Sequence, residues 1–253
     1  MQDLAGKTVL ITGASGTVGT ACAEVLLEKG ARLVLTDRVA PASHLTARPD
    51  VFFQSTDVTD RAAVDTAFAA ALGRFGRIDA AVLAAGVEGP VALVEEISED
   101  DLDRVLGVNV KGCLFWMQAC LRDMKPRGGG SIVALSSISG VVGSASLGAY
   151  TLSKHAVIGL VRAAALEAGS HGVRVNALCP GPIDSDMMRR LDKALSDRDP
   201  QRAPGQADVA KALPLRRYVT AAEVARMAAF LCSDDSGSCH GGTYMVDGGF
   251  TAR

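Results

Sequence analysis

Tyr150 and Lys154 stand four residues apart in Tyr150-Thr151-Leu152-Ser153-Lys154, a spacing that puts a phenol and an ammonium on one face of a helix. A neighbouring positive charge stabilises phenolate, so the pairing is expected to lower the tyrosine pKa from about 10 toward neutrality. A phenol tuned in this way can give a proton to a carbonyl oxygen or take one from an alcohol. Taken alone, Tyr-x-x-x-Lys also describes an ordinary exposed helix pair, so the reading depends on what accompanies it.

A glycine-rich turn accompanies it. Thr12-Gly13-Ala14-Ser15-Gly16-Thr17-Val18-Gly19 follows the apolar run Thr8 to Ile11 and opens a stretch in which Val18, Cys22, Val25 and Leu26 recur at helical spacing. Glycines there allow a tight turn and close approach of backbone to a pyrophosphate, and the helix N-terminus supplies N–H donors and a positive dipole end. Asp37 closes the next β-rich run, where a carboxylate can accept hydrogen bonds from adenosine ribose hydroxyls. The order strand, turn, helix, strand, acid predicts a dinucleotide site. The Asp37 charge repels a 2′-phosphate, so NAD is expected ahead of NADP. Arg38 beside it is read either as a partner for such a phosphate or as a solvated charge stacked on adenine. Asp57-Val58 reaches the same edge, as adenine-pocket lining or as a turn.

These groups need elements to position them. Thr8 to Ile11, Arg32 to Thr36, Val51 to Gln54, Ala80 to Leu83, Ser131 to Leu135, Val173 to Leu178 and Thr243 to Val246 read as short buried strands, with helical stretches between them. That alternation predicts an α/β fold: a Rossmann-like, doubly wound, seven-stranded parallel sheet with helices on both faces. No linker divides the 253 residues, so 1–253 is read as one domain. Ser98 with Asp101, and Thr220 with Glu223, mark helix starts, which makes the acidic run Glu99-Asp100-Asp101 a first helical turn. Residues 184–217, with Met187, Met188, Arg189, Arg190 and prolines 200, 204 and 214, show no strand or core periodicity and are read as a substrate lid.

Composition removes other classes of function. Apolar residues make up 48% and charged ones 21%, with no apolar run long enough to span a membrane. With 26 Lys and Arg against 28 Asp and Glu, a net charge of −2 offers no field for nucleic acid or an anionic membrane. The N-terminal residues lack the pattern of a secretory signal, and a cytoplasmic protein is expected. Six scattered cysteines without a Cys-x-x-Cys pair read as reduced thiols, with no metal site expected. Cys179 has no base beside it to make it a nucleophile, and His155 turns away from Lys154 on the helix.

The markers together resemble the short-chain dehydrogenase/reductase family in its single-domain branch. In order they are the turn at 12–19, Asp37, Asp57-Val58, Ala85-Gly86, Asn109-Val110-Lys111-Gly112, Ser136-Ser137, Tyr150 with Lys154, Pro180-Gly181-Pro182-Ile183 and Val246-Asp247-Gly248-Gly249. The resemblance implies that Ser137 hydrogen-bonds the substrate oxygen, Tyr150 is the acid/base, and Lys154 tunes Tyr150 and holds the nicotinamide ribose. It also implies that Asn109 positions a water and Lys154 for proton relay, and that Pro180, Gly181, Ile183 and Ser185 flank the nicotinamide. Ser136 and Ser139 are read as turn and wall residues.

Two departures stand out. Glycines fall at 13, 16 and 19 with Thr17 where that branch has glycine, which puts the pyrophosphate contact at 17 in question. Leu83-Ala84-Ala85-Gly86 lacks the usual side-chain amides, so weaker bracing of the sheet is expected. The stretches 107–124 and 149–168 are apolar or small nearly all round, which predicts helices covered on both sides and agrees with the family's usual homotetramers.

The expected activity is interconversion of a secondary alcohol and a ketone. The small residues of 138–147 favour a compact hydrophobic or cyclic substrate, although the lid arginines could receive a carboxylate. Alternatives are an NADPH-dependent 3-oxoacyl-[carrier protein] reductase, for which Arg127, Arg189 and Arg190 are too few to form a docking patch, a nucleotide-sugar epimerase or lyase, and a dinucleotide-sensing scaffold.

Overall fold

A computed structural model of the protein describes residues 4–198, 209–211 and 213–252. Prolines 200 and 204 of the expected lid lie outside the described residues. Seven parallel strands form one sheet: β1 (Thr8–Thr12), β2 (Arg32–Asp37), β3 (Val51–Ser55), β4 (Ala80–Leu83), β5 (Gly130–Leu135), β6 (Val173–Pro180) and β7 (Thr243–Val246). Their spatial order is β3-β2-β1-β4-β5-β6-β7. The order reverses between β1 and β4, and an open α/β sheet forms its ligand crevice outside the carboxyl ends of the strands at such a point. Thr12 pairs with Thr36 on one side and Leu83 on the other, so the residues that follow those strands converge.

The strands form because they can be buried on both faces. Leu10, Val34, Ala81 and Ile132 pack into a core with Trp116, Met117, Val157 and Val161. Val9, Ile11, Leu33 and Val82 pack on the other face with Cys22, Leu26, Val224 and Ala228. Alternation along each strand thus feeds two layers.

The helices are α1 (Thr17–Glu28), α2 (Ser43–Thr46), α3 (Arg61–Phe75), α4 (Glu99–Leu106), α5 (Cys113–Met124), α6 (Gly148–Ala168), α7 (Asp186–Arg198) and α8 (Ala221–Cys232). Ser98 caps α4, with its hydroxyl accepting from the Asp101 N–H, and Thr220 with Glu223 forms the capping box of α8. Two expectations change. The stretch 107–124 is interrupted, because Gly107–Gly112 is wound as a π-helical turn between α4 and α5. The segment 184–217 is not without secondary structure, since α7 fills 186–198; its apolar stripe is too narrow for periodicity to reveal, and only Leu191 is buried.

Candidate active site

Backbone packed on backbone builds one end of the site. Gly13 has φ +67°, and a Cβ there would lie 2.7 Å from the N and Cα of Ala85. A Cβ on Gly19 would lie 2.1 Å from the Gly13 carbonyl oxygen. Neither position tolerates a side chain. Gly16 is different: its φ is −76°, and a Cβ would meet only the Gly13 oxygen at 3.4 Å. The 13, 16, 19 pattern therefore keeps the two glycines that the turn demands. The Thr12 hydroxyl accepts from the Ala85 N–H at 3.1 Å, bracing β1 to the end of β4 without side-chain amides.

α1 begins with no side-chain cap and no acid in its first turn. Its free N–H groups and positive dipole end fit an anion such as a pyrophosphate. Gly13, Ser15, Gly16, Thr17, Val18 and Gly19 line a cavity of about 1320 Å³, together with Asp37, Arg38, Asp57 and Val58. Asp37 is fixed at the rim, where its carboxylate accepts from the Ser15 N–H at 3.0 Å and the Arg38 N–H at 2.7 Å. Asp57 accepts from the N–H and hydroxyl of Thr59 at 2.8 and 2.7 Å, and these bonds hold its carboxyl below the usual range.

Side chains from β5 and α6 build the other end of the same cavity. Ala85, Gly86, Ser137, Tyr150, Lys154, Pro180, Gly181, Ile183 and Ser185 all line it. Gly86 lies between two of the nominated groups, since a Cβ there would sit 3.3 Å from Asn109 Oδ1 and 3.4 Å from Lys154 Nζ. Lys154 is buried, its Nζ donating to the Leu135 carbonyl at 2.9 Å and lying 5.5 Å from the centre of the Tyr150 ring.

The expected fall in the Tyr150 pKa does not occur. Burial pushes the phenol up to about 12, against hydrogen bonding with the Ser137 hydroxyl, and burial pulls the Lys154 ammonium down to about 8. The spacing rule omitted desolvation, which disfavours the charged form of both groups and is the largest cause of each shift.

Asn109 is the one nominated residue that does not line the cavity. It sits buried in the π-helical turn and clamps the chain after Gly86: its Oδ1 accepts from the Val87 N–H at 2.8 Å, and its Nδ2 donates to the Val87 carbonyl and the Ser153 hydroxyl, each at 2.9 Å. Ser153 donates in turn to the Tyr150 carbonyl at 2.7 Å. Among the described residues, these bonds run to Val87 and Ser153 rather than to Lys154. Ser153 escaped the sequence reading, although a hydroxyl three residues after the tyrosine was a legible signal.

Neighbouring residues fall as follows. Ser136 donates to the Lys154 carbonyl at 2.9 Å, and His155 lies exposed against the Thr151 carbonyl. The wall at 138–147 is less apolar than expected, because Ser139 and Ser144 pair hydroxyl to hydroxyl at 2.9 Å on the cavity lining. The three arginines considered for carrier docking are each ion-paired, Arg127 with Asp123, Arg189 with Asp184 and Asp186, and Arg190 with Glu88.

A family model described as "Enoyl-(Acyl carrier protein) reductase" matches residues 13–251. Levodione reductase of Leifsonia aquatica is 34% identical over 97% of this chain and 94% of its own. A sorbitol dehydrogenase of Cereibacter sphaeroides is 37% identical over 97% of this chain and 98% of its own. Short-chain dehydrogenase/reductase ABA4 of Pyricularia oryzae is 36% identical over 97% of this chain and 92% of its own. The chain belongs to the short-chain dehydrogenase/reductase family.

Solved structures agree in fold and length. Levodione reductase superposes with a TM-score of 0.92, 32% identity and 98% of both chains covered. NAD+-bound xylitol dehydrogenase superposes at 0.89 with 32% identity, covering 97% of this chain and 99% of that one, and ElxO with NADP bound at 0.87 with 28% identity and all of both chains covered. The protein is thus an oxidoreductase of a family that binds nicotinamide cofactors and acts on alcohol or ketone groups. Among the described residues, no helix is long and apolar enough to cross a membrane.

Proposed function

We propose that the protein interconverts a secondary alcohol and a ketone on a small, uncharged, hydrophobic or cyclic substrate, with NAD preferred over NADP. The observation that carries this reading is the meeting of Ser137, Tyr150 and Lys154 with Gly86 in one cavity that the Gly13 and Gly19 turn also lines. The bound nicotinamide supplies a hydride acceptor or donor. The protein's own groups do the rest. The Ser137 hydroxyl hydrogen-bonds the substrate oxygen and stabilises charge developing there. The Tyr150 hydroxyl gives that oxygen a proton in reduction, which leaves the phenolate, and in oxidation the phenolate takes the alcohol proton. Lys154 keeps a positive charge beside the Tyr150 ring, held in place by the Leu135 carbonyl. Asn109 is a positioning residue, fixing Val87 and, through Ser153, the first turn of α6.

Gly13, Ser15, Gly16, Thr17, Val18 and Gly19 are assigned to the pyrophosphate, Asp37 and Arg38 to the adenosine ribose, and Asp57 and Val58 to the adenine. Ala85, Gly86, Tyr150, Lys154, Pro180, Gly181, Ile183 and Ser185 are assigned to the nicotinamide end. Asp37 favours NAD because its carboxylate is already fixed at the cavity rim, where a 2′-phosphate would meet its charge. Arg38 on the same lining keeps NADP as the second reading. The assembly proposed with this reading is a homotetramer, on the family resemblance alone.

Parallel assays of NAD and NADP with neutral secondary alcohols test the cofactor reading. Wild-type protein is expected to turn over faster with NAD, and Asp37→Ser to lose at least about tenfold of that preference. A wild-type preference for NADP would overturn it.

A further inference from the structure

An ion pair that the proposed reaction does not use abuts the cavity. Arg190 of α7 lines the cavity and grips Glu88 with two nitrogens, Nε to Oε1 at 2.5 Å and Nη2 to Oε2 at 3.3 Å. Glu88 lies two residues after Gly86, on a segment whose position is set by the Asn109 clamp on Val87. Its side chain is 17% exposed. Burial would raise the Glu88 carboxyl, but the Arg190 hydrogen bond and charge, with the more distant Arg104, outweigh it and keep Glu88 ionised. The pair therefore joins the segment after Gly86 to α7, 102 residues away in sequence; Arg190 is the member on the cavity lining, and the Glu88 charge reaches Tyr150.

We infer that Glu88 and Arg190 set the charge of the substrate: by neutralising Arg190, Glu88 makes this end of the cavity accept uncharged alcohols and ketones and refuse carboxylates. The inference rests on the reading of this cavity as the alcohol/ketone site and adds the charge of the substrate to it. A carboxylate entering the cavity has few alternative partners among the described residues. Arg104 on the lining pairs with Asp101 at 3.3 Å, and Lys154 is committed to the Leu135 carbonyl. Asp186 is held by Arg189, and Asp103 adds negative charge to the lining. Arg190 presents a planar two-pronged donor set, the geometry that a carboxylate takes. Glu88 occupies those prongs with two oxygens; a Gln in its place accepts through one oxygen only and carries no charge, which leaves Arg190 a free prong and a net positive charge for a carboxylate.

The test compares wild type, Glu88→Gln and the double variant Glu88→Gln/Arg190→Gln. Two measurements are made on each: kcat/KM with 4-methylcyclohexanone and with 4-oxocyclohexanecarboxylate, within a wider panel of neutral alcohols and ketones, and direct calorimetric binding of cyclohexanecarboxylate. The expected result is that wild type favours the neutral ketone, that Glu88→Gln raises the acid-to-neutral ratio and the carboxylate affinity at least about tenfold, and that the double variant loses both gains. Turnover of neutral substrates with no gain of carboxylate binding in Glu88→Gln would overturn the inference and leave the functional reading intact. Carboxylate binding by wild type as tight as by Glu88→Gln would overturn it equally. Failure of wild type to act on any member of the neutral panel would overturn the functional reading, and this inference with it.

Discussion

The two ends of the cavity are held together in different ways. At the end assigned to the cofactor, Gly13 lies against Ala85 and Gly19 against Gly13, backbone on backbone, with no space for a β-carbon. At the end assigned to the substrate, α7 meets the segment after β4 through the side-chain ion pairs Arg190–Glu88 and Arg198–Glu96. The first arrangement admits almost no sequence variation, because the constraint falls on the main chain. The second can be rewritten by exchanging side chains while the chain path stays the same. A sheet that fixes one ligand rigidly and leaves the other to exchangeable contacts can keep one cofactor and change substrates.

The sharpest way to break this comparison is at Gly19. Gly19→Ala must displace the Gly13 carbonyl or α1, so it is expected to abolish nicotinamide-cofactor binding measured by calorimetry and to lower Tm by more than about 10 °C. Gly16→Ala, with ordinary backbone and only a 3.4 Å contact, is expected to move Tm by no more than about 4 °C. Equal damage at both positions would show that the turn is not built by the contacts described.

Lys154 sharpens the comparison at the chemical end, where function costs stability. Burial lowers its pKa from 10.5 to about 8, so the unfolded chain holds the proton more tightly across that window and stability rises with pH through it. Below about pH 8 the folded protein carries the full cost of the buried charge, roughly 3 kcal/mol. Lys154→Met removes that cost and loses one charge-assisted hydrogen bond, to Leu135, worth about 2 kcal/mol. The variant is expected to lose about 10³-fold in kcat and to melt about 3 °C higher at pH 7, a gain that fades as pH rises from about 8 to above 10. In wild type, ketone reduction is expected to fall as pH rises through about 8, while Tyr150 remains protonated up to about 12.

The smallest effect is expected at the far end of α7. Arg198→Ala breaks a partly exposed pair with Glu96, and KM for a neutral ketone is expected to rise by less than about threefold. A tenfold rise in steady-state KM would show that this pair, and not only Arg190–Glu88, holds α7 in place.

The same contrast explains what the sequence makes legible. The strands, the turn at 12–19, Asp37 and the Tyr150/Lys154 pair depend on local residue types and short spacings, and each stands where the sequence places it. The Glu88–Arg190 pair was out of reach because it joins residues 102 apart on segments with no shared pattern. The π-helical turn at Gly107–Gly112 has no periodic signature, so the buried clamp that Asn109 makes on Val87 could not be derived from spacing. The direction of the Tyr150 shift is not legible in the spacing because its largest cause is burial, which depends on the whole fold. Helix α7 was missed because, apart from Leu191, little of it enters the core.

The most direct test of the account is Tyr150→Phe, assayed for alcohol oxidation with NAD beside wild type, with the NAD dissociation constant measured for both. The predicted result is a loss of at least about 10³-fold in kcat, with the dissociation constant within about threefold of wild type, because the hydroxyl serves the reacting oxygen and the glycine turn holds the cofactor. Activity retained within about tenfold of wild type would contradict it.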